Sequence, residues 1–115
     1  MTEIVFICAT CQMPDGAKPG PAFAKDLAQK LSSAGVTVQL VDCLNMCDAP
    51  LSLALRAPGK TAYLFSDLRP DDIEDAAALA RLYKDAKGGE ITDARPAGRL
   101  RHCLVGRIPS DLPSK

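Results

Sequence analysis

The fold of this chain is decided by the stretch Ile4-Val5-Phe6-Ile7-Cys8-Ala9-Thr10-Cys11, an apolar run that leads directly into a Cys-x2-Cys pair. Such a run is typical of a buried strand. A second strand, predicted over residues 36–41, leads into another pair, Cys43-x3-Cys47, and an amphipathic helical segment lies between the two strands. A strand-helix-strand connection within one sheet is almost always a right-handed parallel crossover. Both strands therefore end at the same edge, where the two cysteine pairs are predicted to meet.

Length and composition limit the class of protein. A chain of 115 residues suits one domain, and we predict a single domain over residues 1–115 with an irregular tail from about residue 90. The formal net charge is zero and aromatic residues are few, which argues against nucleic-acid binding. No apolar stretch approaches membrane-spanning length and no signal peptide is recognisable, so we expect no membrane partner and a cytoplasmic location. Cytoplasmic thiols stay reduced, so clustered cysteines indicate metal or redox chemistry.

The rest of the chain shows helix and hairpin patterns. A helix is predicted from Pro21 to Gly35, with apolar residues at i, i+4 and i+8. The strand over residues 36–41 alternates apolar and polar residues, which predicts a peripheral position. Residues 51–55 and 61–65 flank a turn and predict an antiparallel hairpin.

A second helix is predicted from Pro70 to Ala86. Acidic residues occupy its first turns and basic residues its last, which complements the helix dipole, and we interpret the acidic start as solvated: Asp71, Asp72, Glu74 and Asp75. In the tail, the segment from Cys103 to Ile108 predicts a short strand or a stretch packed along the sheet. The arginines of the tail are interpreted as a solvated basic surface: Arg95, Arg99, Arg101 and Arg107.

The resulting order, β-α-β-β-β-α with a parallel and an antiparallel half, is the order of the thioredoxin fold. The predicted fold class is therefore α/β, thioredoxin-like, with a mixed sheet. Pro50 comes immediately before the third strand, where thioredoxin-like proteins place a cis-proline. The sequence does not decide whether this bond is cis, because most X-Pro bonds are trans.

The four paired cysteines fit three kinds of chemistry. The first is a dithiol-disulfide oxidoreductase, for which a strand followed by Cys-x-x-Cys is the usual signal. A redox Cys-x-x-Cys gains its low thiol pKa at a helix N-terminus, whereas here a nine-residue loop over residues 12–20 separates Cys11 from the predicted helix. This interpretation also leaves Cys43 and Cys47 without a role, so we rank it third.

The other two interpretations use all four cysteines. Two Cys-x2–4-Cys pairs are the usual ligand spacing of a tetrahedral zinc site. A [2Fe–2S] cluster needs two thiolates on each iron, which two pairs from two loops also supply. Rieske ligation requires two histidines, and the chain has only His102, which we interpret as a surface histidine. A single cysteine such as Cys8 is readily explained as a small core residue, but four cysteines in two close pairs are not.

Three further stretches carry a resemblance that spans nearly the whole chain: Val41-Asp42-Cys43-Leu44-Asn45-Met46-Cys47, Gly59-Lys60-Thr61-Ala62-Tyr63-Leu64-Phe65 and Arg107-Ile108-Pro109. Together with Cys8-Ala9-Thr10-Cys11 they resemble an uncharacterised bacterial family of small predicted metal-binding proteins. More distantly, Cys43-x3-Cys47 followed by Pro50 is similar to the thioredoxin-like [2Fe–2S] ferredoxins. That second resemblance implies an electron carrier, and those ferredoxins usually form dimers.

By position, Cys8, Cys43 and Cys47 match the cluster ligands of those ferredoxins. The first two ligands of the ferredoxins are separated by a longer stretch than the two residues between Cys8 and Cys11, so Cys11 matches only if its loop bends into place. Cys103 lies outside both patterns. Three roles stay open for Cys103: a cysteine with no part in the site, a fifth thiol near the cluster, or a ligand that replaces Cys11.

Our leading hypothesis is a [2Fe–2S] ferredoxin-like electron carrier rather than an enzyme. Cys8, Cys11, Cys43 and Cys47 would hold the cluster, and the partners would be redox proteins, with a homodimer as a further expectation. The alternative is a metal-binding or metal-delivery protein that holds zinc, or another metal with soft ligands, in the same four cysteines.

Overall fold

The computed structural model describes residues 3–10, 12–42, 44 and 51–110. These residues form one five-stranded mixed sheet and two α-helices, in the following order: β1 Glu3–Cys8, α1 Gly20–Lys30, β2 Val36–Val41, β3 Leu53–Arg56, β4 Ala62–Phe65, α2 Ile73–Asp85 and β5 Leu104–Ile108. A 3₁₀ turn, Pro70–Asp72, leads into α2. The predicted β-α-β-β-β-α order is confirmed, and β5 extends it.

The sheet has the strand order β2-β1-β3-β4-β5. β1 and β2 are parallel and in register, with Cys8 opposite Val41, so the predicted crossover is confirmed. β2 is an edge strand among the described strands, as its alternating pattern predicted. The other neighbouring strands pair antiparallel. One edge of the sheet, called here the Cys8 edge, therefore contains the ends of β1, β2 and β4 and the starts of β3 and β5.

Both α-helices pack on one face of the sheet, where the core lies. Alternate residues of the central strands are buried on that face, including Val5, Ile7, Leu53 and Leu55. The apolar stripe predicted for α1 is buried against them: Phe23, Leu27 and Leu31. Helix α2 contributes three alanines, Leu79 and Tyr83 to the same core.

The acidic start of α2 is only partly solvated, which corrects the sequence-based interpretation. Asp71 and Glu74 are exposed. Asp72 is only 6% exposed; its carboxylate accepts a hydrogen bond from the Arg69 N–H at 2.7 Å and lies 3.6 Å from the Arg99 guanidinium. Asp75 accepts a hydrogen bond from the Arg99 N–H at 3.3 Å. These carboxylates hold the tail against α2, because a carboxylate with little access to water requires such partners.

The tail is more ordered than predicted. Two 3₁₀ turns, kinked at Gly98, span Arg95–His102 and contact α2. The strand predicted near its end is confirmed as β5, which pairs with β4. The predicted hairpin is confirmed as β3 and β4. Among the helices of the described part of the chain, none has the length and apolarity to cross a bilayer.

Candidate metal centre

Cys8 is the last residue of β1, and its sulfur lies at the Cys8 edge. The residue is 1% exposed. Its Sγ lies 3.8 Å from the backbone oxygen of Asp42 and 3.7 Å from the hydroxyl oxygen of Thr10. Asp42 follows β2 and directly precedes Cys43 in the sequence. The first sulfur therefore lies against the loop that continues into the second cysteine pair.

The two loops are fastened together at the strand ends. The Ala9 N–H donates to the Val41 carbonyl at 2.7 Å, which extends the parallel pairing by one step. The Thr10 hydroxyl then donates to the carbonyl of Asp42. On the other side of β1, the Cys8 N–H donates to the Ser52 carbonyl at 3.2 Å. The backbone around Cys8 is thus fixed by hydrogen bonds on both sides of β1.

The start of α1 packs directly on the backbone of Cys8. The connecting loop turns back on itself through a hydrogen bond from the Met13 N–H to the Ala17 carbonyl at 2.8 Å. The helix begins at Gly20, where a Cβ atom would lie 2.0 Å from the Cys8 carbonyl oxygen. Only glycine fits such an approach.

The helix start lies close to the backbone of Cys8 although the loop is long in sequence, because the loop folds so that α1 and the end of β1 touch. The predicted separation of the helix from Cys11 is not tested, because Cys11 lies outside the described residues. The low rank given to dithiol chemistry therefore stays a prediction.

Three of the four predicted ligands, Cys11, Cys43 and Cys47, lie outside the described residues, and so does Pro50. Their assignment as ligands, and the cis bond considered for Pro50, stay predictions. Within the part of the chain that is described, no three His, Cys, Asp or Glu side chains are grouped to hold a metal ion.

Cys103 lies at the same edge of the sheet but far from Cys8. It directly precedes β5, which is separated from β1 by β3 and β4. With neighbouring strands about 4.8 Å apart, the two positions lie about 14 Å apart across the sheet. Two thiolates on one zinc ion lie within about 4.6 Å of each other. This placement argues against Cys103 as a fourth ligand beside Cys8.

The sulfur of Cys103 has a different neighbour, which the sequence did not reveal. The residue is buried, and the Arg99 guanidinium donates a hydrogen bond to its Sγ at 3.1 Å. That hydrogen bond, together with the charge of Asp72, raises the pKa of Arg99 above its usual value. Arg99 also donates to the Asp67 carbonyl at 2.8 Å, so its interpretation as a solvated arginine is wrong. His102 is exposed, as predicted.

A second charged cluster lies at the opposite end of β1, and its role is structural. The Glu3 carboxylate is largely buried and lies 2.8 Å from the Lys60 ammonium. The same ammonium donates to the carbonyls of Tyr83 and Lys84, each at 3.0 Å, at the end of α2. Burial raises the pKa of Glu3, but the hydrogen bond and the charges of Lys60 and Lys84 lower it further, so the net pKa lies below its usual value. The cluster joins β1, the turn between β3 and β4, and the end of α2.

Comparison with known proteins gives a family and a fold. The family described as "Protein of unknown function (DUF1636)" matches residues 5–110, and the chain belongs to this family. No curated protein matches the sequence.

Two solved structures are similar over almost the whole chain. One is a thioredoxin-like [2Fe–2S] ferredoxin from Aquifex aeolicus, with a TM-score of 0.57 and 15% identity over 96% of this chain and 97% of that one. The other is the wild-type thioredoxin-like [2Fe–2S] ferredoxin from Aquifex aeolicus, with a TM-score of 0.55 and 15% identity over 91% of this chain and 97% of that one. The predicted likeness to these ferredoxins is confirmed at the level of the fold.

Proposed function

We propose that this member of the DUF1636 family binds a [2Fe–2S] cluster and carries single electrons to a redox partner protein. The observation that carries the proposal is the position of the Cys8 sulfur. It lies at the end of one parallel strand, 3.8 Å from the backbone of Asp42 at the end of the next. Cys43 follows Asp42 in the sequence, so the loops that carry the two pairs leave the sheet side by side.

The donor set fits such a cluster. Each iron of a [2Fe–2S] centre takes two thiolates, and the chain offers Cys8 with Cys11 and Cys43 with Cys47. When bound, the cluster would supply one-electron redox chemistry. The chain would supply thiolates and a rigid frame, because the hydrogen bond from Ala9 to Val41 and the packing of Gly20 both hold the backbone of Cys8.

The position of Cys8 also suits electron transfer without a bound substrate. Cys8 is buried, whereas Thr10, two residues later, is exposed. The proposed cluster would therefore lie at the boundary between the core and the solvent, within reach of a docked redox protein. No substrate chemistry is required, and we propose that the protein is not an enzyme.

Anaerobic purification tests this proposal. We expect a red-brown protein with about two irons and two acid-labile sulfides per chain, which bleaches on reduction. Cys8→Ser should lose or strongly alter the cluster, because a serine oxygen is a harder ligand than iron–sulfur centres favour. Cys103→Ser, which changes another buried cysteine about 14 Å away, is the matched control and should keep the visible spectrum.

Zinc is the second candidate, since the spacing of both pairs also fits a tetrahedral zinc site. Zinc is d¹⁰ and its thiolate sites are colourless in visible light. Colourless protein with about one zinc per chain, obtained after expression with ample iron, would replace the electron carrier with a metal-binding or metal-delivery protein.

The proposal includes a cytoplasmic location and a homodimer. β5 is the terminal strand of the described sheet, and it exposes three apolar side chains, Leu104, Val105 and Ile108. Its one charged residue, Arg107, lies 3.2 Å from Glu90 of the same chain. The side chains of β5 are therefore mostly apolar and its charge is paired, and no described strand pairs with its outer side, which suits antiparallel pairing with β5 of a second copy. Sedimentation equilibrium of the wild type and Val105→Lys would test this contact.

A further inference from the structure

Thr10 connects the two loops that carry the cysteine pairs. It lies between Cys8 and Cys11 in the sequence, and its hydroxyl donates to the carbonyl of Asp42, the residue before Cys43. The two residues are 32 positions apart in the chain. Among the described residues, this is a side-chain link from the first cysteine loop to the second.

The same hydroxyl is close to the sulfur of Cys8. Thr10 Oγ1 lies 3.7 Å from Sγ, and the carbonyl oxygen of Asp42 lies 3.8 Å from Sγ. The Thr10 hydroxyl has one proton, which it donates to the carbonyl of Asp42. This hydrogen bond holds the backbone of Asp42 next to the sulfur of Cys8.

We propose that Thr10 is a positioning residue for the metal centre: its hydroxyl, by donating to the carbonyl of Asp42, holds the two cysteine loops together beside Cys8. This inference rests on the proposed function, because it assumes that Cys8 binds metal. Groups that hydrogen-bond to metal ligands orient them, and their loss typically weakens metal binding by about 10- to 100-fold. Thr10 is exposed, so water competes for its hydrogen bonds, and we expect an effect at the lower end of that range.

The exposure of Thr10 also makes the inference testable. An exposed hydroxyl contributes little to the stability of the fold, so Thr10→Val should fold normally. Thr10→Ser keeps the hydroxyl and serves as the rescue variant. Thr37→Val makes the same change at an exposed threonine of β2 and serves as the matched control.

The experiment titrates Co²⁺ into the reduced apo-protein under argon and follows the sulfur-to-cobalt charge-transfer absorption. We expect Thr10→Val to bind Co²⁺ about tenfold more weakly than the wild type, with Thr10→Ser and Thr37→Val close to the wild type. Melting curves of the apo-proteins should change little.

Two results would separate the failure of this inference from the failure of the proposed function. If Thr10→Val binds Co²⁺ as tightly as the wild type, or if Thr10→Ser is as weak as Thr10→Val, the role of the hydroxyl is refuted while the metal centre stands. If the wild type binds no Co²⁺ and the purified protein contains neither iron nor zinc, the metal centre itself is refuted, and the inference fails with it.

Discussion

The contact between Gly20 and the end of β1 leads to the sharpest prediction. A Cβ atom at Gly20 would lie 2.0 Å from the Cys8 carbonyl oxygen and 3.2 Å from the Cα atom of Ala9. Real Cβ contacts essentially never fall below 3.0 Å. In Gly20→Ala, either the helix or the strand must therefore retreat. β1 is hydrogen-bonded to β2 and to β3, so the strand has little freedom to do so.

Two opposing terms set the magnitude. Alanine is favoured over glycine within a helix by about 1 kcal/mol, and that term alone would make Gly20→Ala more stable. Overpacking a well-packed site typically costs about 1–3 kcal/mol. The atom in the way at Gly20 is the backbone oxygen of Cys8, which cannot turn aside like a side chain, so we expect a cost near the upper end of this range. We expect a net loss of about 2 kcal/mol in the free energy of unfolding, as the difference between these two terms. The melting temperature should fall by roughly 8 °C.

Urea unfolding of the apo-proteins, followed by circular dichroism, measures this loss. Gly106→Ala is the matched control, because a Cβ at Gly106 meets nothing within 4 Å. It should leave the stability unchanged or raise it by up to about 1 kcal/mol, because glycine within a strand is less stable than alanine. A Gly20→Ala protein as stable as the wild type, or more stable, would refute the reasoning, since helix propensity would then outweigh the contact with Cys8.

Two further predictions concern the charged cluster and the cysteines. Glu3→Gln should lower the free energy of unfolding at pH 7 by about 1 kcal/mol, because Lys60 loses its charged partner but keeps its hydrogen bonds to the carbonyls of Tyr83 and Lys84. The folded pKa of Glu3 lies below its usual 4.5, so this stabilisation is present above pH 4.5 and is lost as the pH falls through the folded pKa. The difference between Glu3→Gln and the wild type should therefore shrink in urea titrations as the pH falls below 4.5, and a constant difference would contradict the role of the carboxylate. The apo-protein should be a poor insulin reductase with a thioredoxin-recycling system, whereas thioredoxin-like turnover that Cys8→Ser abolishes would favour dithiol chemistry.

The local patterns of the sequence were sufficient to predict the fold. The period of two along the strands and the apolar stripe of α1 are properties of neighbouring residues, and each is satisfied by one face of a core. The handedness of the β-α-β connection is nearly invariant. It therefore followed from sequence order alone that β1 and β2 end together, and that Cys8 faces the loop after β2.

Other features of the site were decided only by the tertiary structure, because they depend on contacts between residues far apart in the chain. The loop before α1 is long in sequence, yet Gly20 touches Cys8. Arg99 looked like a solvated surface charge, yet it contacts Asp72 and the sulfur of Cys103. No period or spacing encodes such contacts, because they arise when separate elements pack and leave buried polar groups that must find partners. The sequence by itself determined the order of the elements along the chain and the edge at which Cys8 lies, while packing determined which side chains surround that edge.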